Sequence, residues 1–329
     1  MTRATEVSWQ LDGITMHGTL TRPDGAGPFP SVVLVAGSGP TDRDWCSPLL
    51  PGTNGSARLL AEAFADSGIA SLRYDKRVSG PYAAENVPRL IGRLSMRSHL
   101  DELACAVGVL AQEADLEPTR IVGLGNSEGC LHVLHYATSA PGIPFAGIVL
   151  AAPPGRPTRD VLLSQLELQV AQLPDGSLLM DAVRAATARY EAGQPMDLDP
   201  QLPEQLRMIL TSFEAPTNLP LARELWVEDA TRLLAAVTMP MLVLIGGHDL
   251  QIDVHADGDP LQAAAAGRPN ITFAFPPTAN HVLKEDTRTV AEVVAAPGNG
   301  YNAEGTRLDP EALETMLTWL HSLFARPAP

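Results

Sequence analysis

Six short and nearly continuous apolar runs recur along this chain: Pro30 to Gly37, Ile69 to Tyr74, Arg120 to Leu124, Ala146 to Ala152, Met241 to Ile245 and Ile271 to Phe275. Strands buried on both faces read this way, because neither side of the pleat meets water. Segments of helical periodicity lie between most of them. Ala57 to Ser67 sets Leu59, Leu60, Ala63 and Phe64 on one face ahead of Gly68, and Ser98 to Ala114 opens on a Ser98/Asp101 pairing of the capping-box kind. Strands alternating with helices define an α/β fold with a mostly parallel sheet flanked by helices. Before the first run, residues 6–22 alternate polar and apolar about Asp12-Gly13, the pattern of a β-hairpin.

The alternation stops between 153 and 238. Pro153-Pro154-Gly155 opens the interval, and helical segments at 158–173, 177–192, 201–211 and 221–236 follow with no strand among them. A helical block between two sheet strands implies an inserted cap, so we divide the chain into a core (1–152 and 239–329) and a helical cap (153–238). The cap's apolar residues (Leu162, Leu163, Leu166, Leu168 and Val170, then Leu225, Trp226, Leu233 and Leu234) are expected to form mostly its own packing, with some lining a pocket. Residues 296–308 read as a Gly- and Asn-rich loop, and 310–324 as a closing amphipathic helix.

With 329 residues, 45% of them hydrophobic and 19% charged, the chain has ample material for one large domain with an insertion. Its net charge of −15 argues against binding nucleic acid or anionic membranes, both of which need a basic face. Cys46, Cys105 and Cys130 match no zinc spacing and cannot all pair. Reduced thiols, no apolar leader after Met1 and no apolar span of about 20 residues together predict a cytoplasmic protein. A homodimer is compatible with the sequence.

The chemistry centres on Gly125-Asn126-Ser127-Glu128-Gly129. A bare G-x-S-x-G is a weak pattern, but this one directly follows a buried run and opens a helix. A serine on such a sharp strand-to-helix turn is a candidate nucleophile, with glycines where side chains would collide. That arrangement calls for an acid and then a histidine later in the chain. His281, in a loop after the last apolar run, is the candidate base; His248, His255 and His321 fit less well by position. Asp249, at the carboxyl end of the run 241–245, is the candidate acid, and Asp253 is its competitor. The oxyanion donors would be the backbone N–H of Glu128 and that of Ser38 or, second, Gly39. The Asp- and His-rich stretch from His248 to Asp259 lacks the register and closing glutamate of a calcium loop, so no metal and no cofactor is expected.

Five separated motifs then agree in order. They are Gly37-Ser38-Gly39-Pro40-Thr41-Asp42-Arg43-Asp44, Tyr74-Asp75-Lys76-Arg77, Ser127-Glu128-Gly129, Asp249-Leu250-Gln251-Ile252 and Asn280-His281. Together they resemble bacterial carboxylesterases of the α/β-hydrolase superfamily, a group that includes serine aminopeptidase-like and lysophospholipase-like hydrolases. The resemblance implies the α/β-hydrolase fold and cofactor-free hydrolysis of small to medium acyl esters, and it independently favours Asp249 over Asp253. Asn126 stands where the group usually has His, and Val78-Ser79-Gly80 replaces its usual Gly-Val-Gly. Arg43 and Asn126 are candidates for substrate contact, although for Arg43 and Arg77 a structural ion pair with Asp42, Asp44 or Asp75 is the favoured reading. The rival functions are a thioesterase, a peptidase, a non-hydrolytic cyclase or lyase on the same fold, and a ligand-binding protein without turnover.

Overall fold

The computed structural model describes residues 3–171 and 173–326. Strands β1 (Arg3–Leu11) and β2 (Ile14–Arg22) form an antiparallel hairpin. Its two turn residues, Asp12 and Gly13, have φ of 50° and 74°, as the twist-matched two-residue turn requires. The buried runs become β3 (Phe29–Val35), β4 (Ala70–Tyr74), β5 (Leu116–Asn126), β6 (Gly147–Ala151), β7 (Met241–Leu244) and β8 (Ile271–Ala274). These six are parallel, β2 joins β4 antiparallel, and the sheet order is β1-β2-β4-β3-β5-β6-β7-β8. The nucleophile candidate therefore stands at the carboxyl end of β5, inside the sheet, where catalytic groups gather in open α/β folds.

Strand alternation divides the core into two layers. Val33, Leu72, Ile121, Ile148 and Val243 pack under α3 (Met96–Gln112) and α4 (Glu128–Thr138). Val32, Leu34, Val122, Leu124, Leu242 and Leu244 pack under α1 (Ser56–Asp66) and the closing helix α12 (Pro310–Phe324). Helix α3 begins two residues before the expected Ser98. Ser95 is its N-cap, and Ser95 and Ser98 exchange hydrogen bonds in a capping box. Three short helices were not apparent from periodicity: α2 (Ala83–Leu90), α10 (Gly258–Ala264) and α11 (Val290–Ala295).

Between β6 and β7 lie α5 (Thr158–Val170), α6 (Gly176–Glu191), α7 (Glu204–Glu214), α8 (Leu221–Leu225) and α9 (Ala230–Leu234). Leu166, Val170, Val183, Tyr190, Leu210 and Trp226 belong to a hydrophobic cluster separate from the two sheet layers. Tyr190 and Phe213 meet Trp226 edge-on at ring separations of 4.8 and 5.4 Å. The single helix expected over 221–236 is broken in two. Asp229 supplies the reason, since its carboxylate accepts from Thr231 N and caps α9 afresh. Leu234 packs with the sheet layer rather than with that separate cluster. Among the described residues, no helix is long and apolar enough to cross a membrane.

Candidate active site

Ser127 is the single residue between β5 and α4, with φ 55° and ψ −122°. A residue bearing a Cβ seldom adopts that conformation, and its cost is about 1–3 kcal/mol. The neighbouring glycines make the turn possible. A Cβ on Gly125 would lie 2.3 Å from Gly129 O, and one on Gly129 would lie 2.4 Å from Val35 O. The result directs Ser127 into a cavity of about 530 Å³. Glu128 opens α4, so its N–H has no acceptor within the helix and is available to a ligand at the helix N-terminus.

His281 lines the same cavity. It sits in a tight turn in which Asn280 Oδ1 accepts from Val282 N and Lys284 N, and Leu283 has φ 60°. Its Nδ1 lies 2.8 Å from Asp249 Oδ2. The other carboxylate oxygen, Oδ1, accepts from Gln251 N at 2.8 Å and Ile252 N at 3.0 Å. The Asp-Leu-Gln-Ile segment thus folds back on its own aspartate and fixes the direction of the carboxylate. That carboxylate is fully buried. An anionic acceptor keeps the imidazole proton on Nδ1 and leaves Nε2 as a free base. The two loops touch through backbone: His248 N donates to Ala279 O, and a Cβ on Gly246 would lie 2.0 Å from Ala279 O.

The structure brings Ser127, Asn126, Glu128, Ser38 and His281 together around one cavity, with Asp249 behind His281. Gly39 is outside the cavity lining, whereas Ser38 is part of it. Asn126 lines the cavity, and its amide is committed to the site's own framework, donating to His281 O at 2.9 Å and Ala151 O at 3.3 Å. Arg43 is a correction. It does not line the cavity, and its guanidinium holds Asp75 through Nε (2.9 Å) and Nη2 (2.7 Å), with Glu6 and Thr19 on Nη1. That is the structural ion pair, set by the planar fork of the side chain. Arg77 likewise pairs with Glu102 and Asp12. Asp253 accepts from His255 N and Ala256 N in a turn, His255 is exposed, and His321 contacts Ser67 O from α12.

Tyr301, in the loop 296–308, had no motif to announce it. Its ring stacks beside His281 at 6.5 Å, and its hydroxyl accepts from Gln251 Nε2. Burial, with Asp249 nearby, holds the phenol well above its ordinary pKa, so it stays neutral. Apolar side chains form much of the cavity wall, including Trp45, Leu131 and Ile252 together with Val161, Leu162, Leu168, Phe213 and Leu225 from the helices between β6 and β7. Among the described residues, Glu128 brings the cavity's lone carboxylate, and no lysine or arginine lines it.

Among the described residues, one group of side chains is close enough to surround a cation: His99, Glu128 and His132, whose donor atoms lie within 4.8 Å of one another. Those donors are already in use. His132 Nε2 and Glu128 Oε1 are 3.1 Å apart, His99 Nδ1 meets Glu102 Oε2 at 2.9 Å, and the ammonium of Lys76 adjoins Glu128.

A doubly covered, mostly parallel sheet with a strained serine after its central strand and an Asp–His pair on the following loops defines an α/β-hydrolase. Residues 53–288 match the serine aminopeptidase S33 family, which is more than half of the chain, and the chain belongs to that family. It is 27% identical over 280 residues to esterase EstD of Thermotoga maritima, a match covering 84% of this chain and 60% of that protein. The chain thus spans less than two thirds of that relative's length. Among solved structures it is similar to VinJ (TM-score 0.59, 16% identity, 97% of this chain and 99% of that one). It is also similar to the proline iminopeptidase of Mycobacterium smegmatis (TM-score 0.57, 17% identity, 97% and 98%). At those identities the likeness is one of fold.

Proposed function

We propose that this protein is a serine hydrolase of neutral carboxylic esters with an apolar acyl group of small to medium length. The observation that carries the reading is the His281–Asp249 pair at 2.8 Å in the loops beside a cavity that also holds the strained Ser127. His281 Nε2 takes the Ser127 proton as Oγ attacks the ester carbonyl, and the N–H groups of Glu128 and Ser38 hold the oxyanion. Collapse expels the alcohol, which takes the proton from His281. Water, deprotonated by the same histidine, then attacks the acyl-enzyme and releases the acid. Resemblance to EstD supports the ester as the bond cleaved.

The cavity wall supports a neutral substrate. Without a lysine or arginine among its described residues it has no partner for a substrate carboxylate. An aminopeptidase would need a free carboxylate for the substrate ammonium, and Glu128 is bound to Lys76 and His132. Three free cysteines among the described residues support a reducing compartment, the cytoplasm. The test is a panel of p-nitrophenyl esters of rising acyl length, with a fluorophosphonate probe on wild type and Ser127→Ala. Turnover by wild type, and loss of both turnover and labelling in the variant, is expected. Equal labelling of the two proteins would remove Ser127 from the mechanism.

A further inference from the structure

The Asp75-Lys76-Arg77 segment after β4 is buried, and no step of the proposed reaction uses it. Two of its members have structural partners: Asp75 holds Arg43, and Arg77 holds Glu102. Lys76 is different. Its ammonium, at 3% exposure, donates to Gly37 O at 2.6 Å and lies 3.6 Å from Glu128 Oε1. These two contacts reach the two residues that flank the site of the oxyanion.

The first contact acts through a peptide plane. Gly37 C=O and Ser38 N–H belong to one trans amide group, in which the oxygen and the hydrogen point to opposite sides. Holding the carbonyl toward Lys76 therefore turns the Ser38 N–H away from it. Gly37 lines the cavity, and a Cβ placed on it would lie 3.2 Å from Ser127 Cβ, so this peptide adjoins the nucleophile. A cation on the carbonyl also polarises the amide and strengthens its N–H as a donor.

The second contact is electrostatic. The N–H of Glu128 is the other proposed donor, yet the same residue carries a carboxylate whose charge would repel a developing oxyanion. The largely buried site makes that repulsion stronger than it would be in water. His132, which also meets this carboxylate, is held neutral: burial lowers its pKa to about 4. Lys76 is the cation paired with this carboxylate.

The geometry points to Lys76 as a positioning residue for the oxyanion site, one ammonium that aligns the Ser38 donor through Gly37 and neutralises Glu128 beside the second donor. This role rests on the reading of Ser127 as the nucleophile.

The experiment compares wild type with Lys76→Met, using the p-nitrophenyl ester that wild type cleaves fastest and a trifluoromethyl ketone of matching chain, whose serine adduct carries the oxyanion. Thermal melting establishes that the variant is folded. If Lys76→Met does not fold, the same measurements are made on Lys76→Gln, which keeps a donor toward Gly37 O without the charge. We expect kcat to fall roughly 10- to 100-fold, somewhat less than for outright loss of an oxyanion donor. KM should stay within about threefold, and the ketone's inhibition constant should rise in step with the loss in kcat/KM. A variant with kcat within about threefold of wild type overturns the role, as does a fall in kcat with the ketone's affinity unchanged. Wild type that cleaves no ester would sink the hydrolase reading itself, and the lysine's role with it. Wild type that is active beside an equally active Lys76→Met would sink the lysine's role alone.

Discussion

Asp249 illustrates how much of a site is decided by single atoms. One carboxylate oxygen is occupied by the N–H groups of Gln251 and Ile252, and the other faces His281 Nδ1. In Asp249→Asn the amide oxygen would keep the two backbone donors, and the amide nitrogen would turn to the imidazole. A donor there drives the ring proton to Nε2, where it blocks acceptance of the serine proton. We expect kcat for ester hydrolysis at neutral pH to fall by about 10³- to 10⁴-fold with the fold intact. Asp253→Asn should retain activity within about twofold, since its turn needs only one side-chain oxygen. Steady-state kinetics on the pair decides between the two aspartates: a greater loss in the second variant would reverse their assignment. The Ser127 turn was legible in the sequence because the buried run before it, the two glycines and the helix after it are contiguous in the chain. The ion pair of Arg43 with Asp75 was among the sequence's readings, but its second carboxylate, Glu6, 37 positions away on the hairpin, was not.

At the scale of elements, the strands were readable because burial on both faces leaves a continuous apolar run that little else in a soluble chain produces. The short helices were not: α10 and α11 run seven and six residues, under two full turns, too few to establish a period. The acidic stretch around α10 shows what fills that gap. Asp257, fully buried, takes Arg156 in a two-point grip (3.1 and 2.9 Å) and also accepts from Gly155 N and Asp253 N. It therefore fastens the first residues after β6 to the loop that follows β7. Its principal partner is 101 positions distant, so the sequence shows the acidic cluster but not its purpose. Asp257→Ala would strand the Arg156 guanidinium and two backbone donors, the N–H groups of Gly155 and Asp253. We expect a loss of about 3 kcal/mol in unfolding free energy, the cost of breaking a buried pair from one side. Urea denaturation at pH 7 measures it, and a change below about 0.5 kcal/mol would mean that the grip is not what holds this junction.

Considered as a whole, the molecule keeps a chain of buried polar groups beneath the cavity, between α3, α4 and the loop after β4. Lys76, Glu128 and His132 form one end of it, and His99, Glu102 and Arg77 the other, with the His99 and His132 rings 4.6 Å apart. Such a layer makes stability depend on pH, and the signs can be worked out. Burial opposes the charge on Glu102, but His99 and Arg77 outweigh it and bring the pKa down from 4.5 to about 2. Its contribution is therefore present above about 4.5 and is lost as pH falls toward 2. Glu128 is shifted in the same direction by Lys76 and His132 against burial. His132 is lowered by burial from 6.5 to about 4, so between those values the unfolded chain binds a proton that the native state refuses. Stability accordingly falls as pH drops through that window, and the limit for His132 alone is on the order of 3 kcal/mol. The interval from 6.5 down to 4.5 lies above the range in which the contribution of Glu102 is lost, so within this layer it reports on His132. His132→Gln retains a donor toward Glu128 and cannot be protonated in this range. Its urea midpoint should therefore decline less than that of wild type between pH 6.5 and 4.5. Parallel declines in the two proteins would show that acid acts elsewhere, and that the polar layer under Ser127 is not the part of the molecule that fails first.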